Sequence, residues 1–196
     1  MDSLLVQLHT ILEPLKPAEL FPQGQPLEVE LGCGDASFLV EYARLNPGKN
    51  FIGVERLLGR IQKLDKKGRR IGLQNARGVR IESAYFLEYL LPPHGADALH
   101  IYFPDPWPKK KHARHRLINE QFPALAARAL ATNGIVYLRT DDADYFLQMN
   151  EVFGAAKGFE KTETPPALSE ITTDFEREFN AQGIPTLRAA YRVLSF

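Results

Sequence analysis

The chain has 196 residues, enough for one domain with a single sizeable core, and its 24 Lys and Arg balance its 24 Asp and Glu. Net charge therefore gives no sign of a nucleic-acid partner, and any basic surface has to come from uneven distribution. The lone cysteine, Cys33, excludes an intramolecular disulfide and fits a reducing, cytoplasmic setting; no apolar stretch is long enough to span a membrane, and the early acid and prolines of the amino terminus are unlike a signal peptide.

In chain order, Leu4, Leu5, Leu8, Ile11, Leu12 and Leu15 recur at helical spacing behind Asp2 or Ser3, so residues 1–26 read as a helical extension that Pro14 and Pro17 close. LEVEL (27–31) reads as a strand running into a glycine turn. Residues 37–46 follow as a helix stopped by Pro47-Gly48, then NFIGVE (50–55) as a strand. A long basic helix covers 57–75, with a possible break at Gly68. VRIES (79–83) is a third strand, 85–91 a short helix, and ADALHIYF (96–103) a fourth strand. A helix over 114–131 is kinked by Pro123 and capped by Asn133-Gly134. GIVYLRT (134–140) is a fifth strand and 143–155 a helix. Two tail strands lie near GFEKTET and TLRAAYRVLSF, close enough in sequence to pair antiparallel at one edge. Alternating strands and helices predict a single α/β domain over 1–196, a mostly parallel doubly wound sheet with an antiparallel edge strand.

In such sheets a ligand sits outside the carboxyl ends of the strands, so the loops there carry the chemistry. After the first strand comes Glu30-Leu31-Gly32-Cys33-Gly34-Asp35, where Gly32 and Gly34 permit a tight turn and close approach by a ligand. Glu55 ends the second strand, spaced to reach a ribose diol. A dinucleotide fits poorly, since Ser37 replaces the third glycine and Glu30 puts negative charge where a pyrophosphate would lie. A cofactor with a cationic amino-acid end and an adenosine end fits better, which describes S-adenosylmethionine (SAM). A turn needed only for strand-to-helix geometry is the alternative.

The fourth strand leads into FPDPWPKKKHARHR. Pro104 and Pro106 fix φ on both sides of Asp105 and aim a carboxylate with little entropy left to lose. Trp107 reads first as a plug against the core and second as a stacking surface for a base. Lys109, Lys110, Lys111, His112, Arg114, His115 and Arg116 form a run without an acid, better suited to phosphates than to a plain solvated face. A second basic segment, from Arg56 to Arg70, is ambiguous between the two. The histidines lack metal-ligand spacing, and no serine sits in a nucleophile elbow.

FPDPWPKKKH, the pair Thr140-Asp141 and the run Thr173-Asp174-Phe175-Glu176 with Gly183 resemble the motifs of the tRNA (guanine-N7-)-methyltransferase family, in that order. The resemblance runs from Glu28 to the end. It implies a Rossmann-like class I methyltransferase fold, SAM as methyl donor, tRNA as partner, and transfer to N7 of the variable-loop guanosine at position 46. It implies that Glu30, Glu55 and Asp105 line the SAM site. It also implies that Lys109, Asp141 and Thr173, Asp174, Phe175 and Glu176 contact the guanosine and its surroundings. Ser83 stands near the adenine where the family usually has an acid or amide, and His115 where Arg or Lys is expected. Asp105 reads as the catalytic residue, accepting from the guanine N1–H or N2–H edge or from the cofactor; a carboxylate that only caps the turn is the competing role. No metal or membrane is expected. A SAM-dependent paralogue acting on another RNA or a small molecule, and a non-catalytic RNA-binding protein, stay open as alternatives.

Overall fold

A computed structural model describes residues 2–194, apart from the side chains of Lys110, Lys111 and Ala113. Seven strands form one sheet in the order β3-β2-β1-β4-β5-β7-β6. They are β1 (Leu27–Leu31), β2 (Asn50–Val54), β3 (Ala76–Val79), β4 (Ala96–Tyr102), β5 (Leu130–Thr140), β6 (Phe159–Thr162) and β7 (Leu187–Val193). The first five run parallel; β7 inserts antiparallel between β5 and β6. The helices are α1 (Pro17–Leu20), α2 (Ser37–Leu45), α3 (Leu58–Arg70), α4 (Ser83–Tyr85), α5 (Phe122–Ala129), α6 (Ala143–Ala155), α7 (Pro166–Glu170) and α8 (Asp174–Ala181).

Side chains alternate across β1. Leu27, Val29 and Leu31 join the core that also takes Phe122 of α5 and Met149 and Phe153 of α6. The opposite face packs α2 and α3 through Leu39, Val40, Ile61 and Leu64. Gly53 makes that packing close: a Cβ there would lie 2.8 Å from Leu64 and 2.9 Å from Cys33 Sγ. Cys33 is buried, and burial pushes its thiol well above the ordinary value, so it is a small turn residue and no nucleophile.

The amino terminus departs from its helical pattern. The amide of Val6 donates to Gly78 O and that of Gly78 to Leu4 O, each at 2.9 Å, so residues 4–6 line the open edge of β3 as an extended strap. A parallel edge left bare is costly, and pairing it outweighs a helix of this length. Leu4 seats over Gly68, where a Cβ would meet it at 2.5 Å; Gly68 is this seat and not a break in α3. Further on, Tyr85 Oη donates to Ile11 O, and Leu12 stays 82% exposed. Among the described residues of the extension, only Pro17–Leu20 is helical.

Other boundaries differ as well: the basic helix read over 57–75 stops at Arg70, and β5 starts at Leu130. The third strand ends at Val79 because Glu82 caps the next turn, accepting from Ala84 N at 3.0 Å and Tyr85 N at 2.8 Å; a π-helical turn Phe86–Leu90 follows. The helix read over 114–131 shrinks to α5. Pro123 sits in its first turn, where the missing N–H costs nothing, and so starts the helix instead of kinking it. Asn133, in the left-handed region at φ +63°, lies in a bulge of β5 between its pairings at Leu130 and Ile135, and does not cap α5.

The strap predicts that Leu4→Ala lowers stability by about 2–5 kcal/mol in urea unfolding, the range for emptying a buried leucine site. A loss within about 0.5 kcal/mol, as for a surface position, would return the arm to solvent.

Candidate active site

Sheet order reverses between β1 and β4, and the loops beyond that switch point enclose a cleft of about 320 Å³. Gly32 comes to it from β1, Glu55, Arg56 and Arg60 from the end of β2 and the start of α3, and Ile81, Glu82 and Ser83 from the turn after β3. Tyr102, Phe103, Pro104, Asp105 and Trp107 come from the end of β4, with His115 and Leu117 at the rim. Four of the six expected cofactor residues, Gly32, Glu55, Ser83 and Asp105, thus converge. Gly34 lies in the same turn at φ +53°, a conformation that favours glycine, and Glu30 lies behind the wall in β1.

Glu28 and Glu30 sit two apart on β1, on one face, and are treated in opposite ways. Glu28 accepts from His100 Nε2 at 2.7 Å and Lys49 Nζ at 2.5 Å. Burial opposes its charge, yet these partners hold its carboxyl down at about 2. Glu30 is equally buried, but its Oε2 has no hydrogen-bond partner among the described residues. Burial pushes its carboxyl well above the ordinary value, against the pull of Arg139 and with the push of Asp35 and Glu55. A buried carboxylate oxygen without a partner is expensive, so Glu28 is tied into the fold by its partners, whereas Glu30 Oε2 is left without one among the described residues. Glu55 is also buried, and its Oε1 accepts from Leu57 N at 2.8 Å, which fixes the side chain at the cleft.

The loop after β4 is held in place from outside. Phe103 (φ +51°) and Trp107 (φ +44°) bracket Pro104-Asp105-Pro106 in left-handed conformations that cost non-glycine residues about 1–3 kcal/mol each. Arg116 braces it: Nε donates to Pro106 O at 2.6 Å, and the two terminal nitrogens reach Gln148 and Asp144 at 2.7 Å each. Arg116 is buried over the Tyr145 ring, so it leaves the basic run and becomes a strut. Asp105 is exposed, and none of the described residues donates to it, which is not how a turn cap behaves. Trp107 is 36% exposed on the cleft wall, with His115 at 5.3 Å, so it is no core plug. Lys109 and Arg114 are exposed; the side chains of Lys110 and Lys111 lie outside the described residues.

Beside the cleft stands the segment 173–176. Thr173 is the N-cap of α8, accepting from Glu176 N at 2.9 Å, and is buried. Glu176 is fully buried between Arg139 at 2.9 Å and Arg188. These two side chains are committed inside the protein, whereas Asp174 and Phe175 face outward and Asp141 is half-buried. Asp174 N donates to Ser37 Oγ at 3.0 Å, and Phe179 packs 6.1 Å from Phe103, which joins α8 to the start of α2 and to the cleft loop after β4. Sequence reading missed Arg139 and Tyr102, placed Arg116 in the phosphate-binding run and left Arg60 in an ambiguous basic segment; a basic residue inside an apolar strand, just before Thr140-Asp141, was the available signal for Arg139.

A family model described as "Putative methyltransferase" matches residues 24–189. The tRNA (guanine-N(7)-)-methyltransferase of Geobacter metallireducens is 34% identical over 146 residues, 74% of this chain and 69% of that protein. The chain belongs to the tRNA (guanine-N7-)-methyltransferase family. The Thermotoga maritima protein of the same name is 31% identical over 174 residues, 88% of this chain, which spans 56% of that relative's length. The solved structure of a 30S ribosomal A1408 methyltransferase from an uncultured bacterium aligns with TM-score 0.61 at 20% identity, covering 86% of this chain and 88% of that one. This shared fold is the class I methyltransferase fold, and family and fold imply use of SAM. Among the described residues no helix is long and apolar enough to cross a membrane.

The Glu30 environment makes stability depend on pH. Unfolded, Glu30 ionises near the ordinary 4.5; folded, it resists ionisation. The stability its protonated form supplies is therefore full below that value and lost as pH rises through the raised one. Glu30→Gln should remove this dependence, leaving the ligand-free variant at least as stable as the parent above neutrality. Urea unfolding across pH checks this; a variant markedly less stable there would show that the carboxylate has a partner.

Proposed function

We propose that the protein transfers a methyl group from SAM to N7 of the variable-loop guanosine at position 46 of tRNA, as one domain over its whole length. The observation that carries the reading is Asp105, braced, exposed and without a partner among the described residues, on the same cleft wall as Glu55, Ser83 and Trp107, in a member of this family.

The site fits the cofactor on its own chemistry. Glu30 offers a buried carboxyl, with Oε2 free of partners among the described residues, to a cationic amino-acid end. Glu55 offers a carboxylate to the ribose diol, and Ser83 a hydroxyl near the adenine. The left-handed Gly32 and Gly34 allow close approach along the backbone. SAM supplies an electrophilic sulfonium methyl. Guanine N7 has an in-plane lone pair and no proton to lose, so the protein needs neither a base to activate it nor a covalent nucleophile. With SAM bound, transfer to N7 would break the S–methyl bond with its electron pair returning to sulfur, and would leave the purine cationic.

The chain's residues then position and stabilise. Asp105 accepts from the N1–H and N2–H edge, turning N7 inward, and its charge favours the purine more as that ring gains positive charge. Trp107 offers a stacking face to the unpaired base. Lys109 and Arg114 hold phosphates, which place the RNA without reading its sequence. Asp141, Asp174 and Phe175 contact the nucleoside surroundings, with Thr173 and Glu176 holding that segment in shape.

Nucleoside analysis of tRNA after incubation with the protein and SAM tests the activity directly. 7-Methylguanosine at the variable loop is expected, and another methylated nucleoside would favour a paralogue with a different substrate. A tRNA with 7-deazaguanosine at the target should bind normally and accept no methyl group, because carbon replaces the lone-pair nitrogen. Labelling of that base would end the N7 assignment. Asp105→Asn should keep tRNA binding and lower the single-turnover rate on the order of a hundredfold, the scale for losing one preorganised electrostatic contact. Full activity in that variant would reduce Asp105 to a turn residue.

A further inference from the structure

The outer face of α3 carries charge that the cleft chemistry does not use. Residues 56–70 hold seven basic side chains and one acid in a chain whose net charge is zero. Ile61, Leu64 and Gly68 point into the core, and Arg56, Arg60, Lys63, Lys66, Arg69 and Arg70 are exposed. The only acid, Asp65, is occupied: it accepts from Leu4 N at 2.7 Å and Ser3 Oγ at 3.1 Å, and lies 3.6 Å from Arg69. Lys67 is paired with Asp35 at 2.7 Å. Arg56, Arg60, Lys63, Lys66 and Arg70 have no acidic partner among the described residues.

Helix stability does not explain this. Cations favour a helix's carboxyl end, which covers Arg69 and Arg70, but Arg60 and Lys63 sit in the amino-terminal half, where the dipole opposes them. Lys63 also has like charges three and four positions on, at Lys66 and Lys67, a spacing at which they repel. A solvated face with no other task would mix signs.

We infer that the outer face of α3 binds the sugar–phosphate backbone of the RNA, as a continuation of the cleft mouth. Arg56 and Arg60 line the cleft itself, so a chain leaving it on that side meets α3 first. The helix is about 20 Å long at 1.5 Å per residue, enough for several phosphates. The opposite rim carries Trp107 and His115, next to the exposed Lys109 and Arg114. The target nucleotide thus enters between two basic borders. This inference rests on tRNA being the substrate and adds the surface that holds it away from the target base.

The test uses the full chain with Lys63→Ala, Lys66→Ala and Arg70→Ala combined, all outside the cleft lining. Filter binding of tRNA is measured over a salt series, with SAM affinity measured by titration. Loss of three phosphate contacts should flatten the plot of log affinity against log salt by roughly two units or more. The two binding curves should converge as salt rises, with SAM affinity unchanged. The charge-preserving set Lys63→Arg, Lys66→Arg and Arg70→Lys should keep the parent slope. An unchanged slope in the alanine variant, with the parent binding and methylating tRNA, overturns the surface and leaves the activity standing. The same slope loss in the charge-preserving set also overturns it, because charge would not be the cause. Unchanged tRNA binding together with lost binding to phosphatidylserine vesicles would assign the face to a membrane instead. A parent that neither binds nor methylates tRNA removes both readings.

Discussion

Arg139 enters the interior from β5 with 1% exposure, and its charge has to be met there. One terminal nitrogen donates to Ile171 O at 2.7 Å and Glu176 Oε2 at 2.9 Å, the other to Leu168 O at 2.5 Å. Its plane lies over the rings of Tyr102 at 4.2 Å and Phe38 at 5.4 Å. Through these contacts α7, the loop after it and α8 are fixed against β4 and β5. Buried ion pairs often add little net stability, yet removing one partner is strongly destabilising. The arrangement therefore commits this stretch of chain to one position, which matters because Asp174 and Phe175 stand on it. The same guanidinium bears on the cofactor side, since its field is what opposes the rise of the Glu30 carboxyl.

Rigid support recurs around Asp105. Two prolines, two left-handed residues and the Arg116 strut fix a loop that has no secondary structure of its own. Such strain persists only where surrounding structure over-determines it. The result is a carboxylate whose placement does not depend on its own hydrogen bonds, which leaves its oxygens for a ligand. Glu55 reaches a similar end by another route, with one oxygen anchored to Leu57 N. Glu30 differs again: it is fixed by the strand, and its Oε2 has no hydrogen-bond partner among the described residues.

The parallel strands and their order in the chain were legible because buried apolar runs alternating with helices have few other solutions. LEVEL is β1 residue for residue, and α6 matches its expected bounds. Four cofactor positions met at one cleft because strand ends in such a sheet converge whatever the loop detail. The strap at residues 4–6 was not legible. Its leucine spacing suits a helix, and only the bare edge of β3, a long-range feature, makes extended pairing the better use of those amides. Nor could sequence separate Arg116 from Lys109 and Arg114, since one is buried and the others exposed by the path of the connection between β4 and α5. Thr173 and Glu176 read as substrate contacts alongside Asp174 and Phe175; a cap and a buried ion pair are set by partners far away in sequence.

Zero net charge hid the electrostatics most completely. Residues 141–178 carry ten acidic side chains and three basic, the reverse of α3 and its approach. The two regions meet beside the glycine turn after β1, where Lys67 lies 3.8 Å from Asp174 and 2.7 Å from Asp35 of that turn. On the proposed reading this division has a use. A phosphate backbone is attracted along α3 and the rim beyond Trp107, and repelled from the side of Asp141 and Asp174. A base edge that donates hydrogen bonds is under no such exclusion, and it meets carboxylates there. On that reading one nucleotide is sorted by sign: phosphates stay on the basic borders, while the purine edge is held by Asp105 with the acidic side facing the nucleoside. Because that separation is electrostatic, salt weakens the hold on the backbone more than the hydrogen bonds to the base, which are shielded within the cleft.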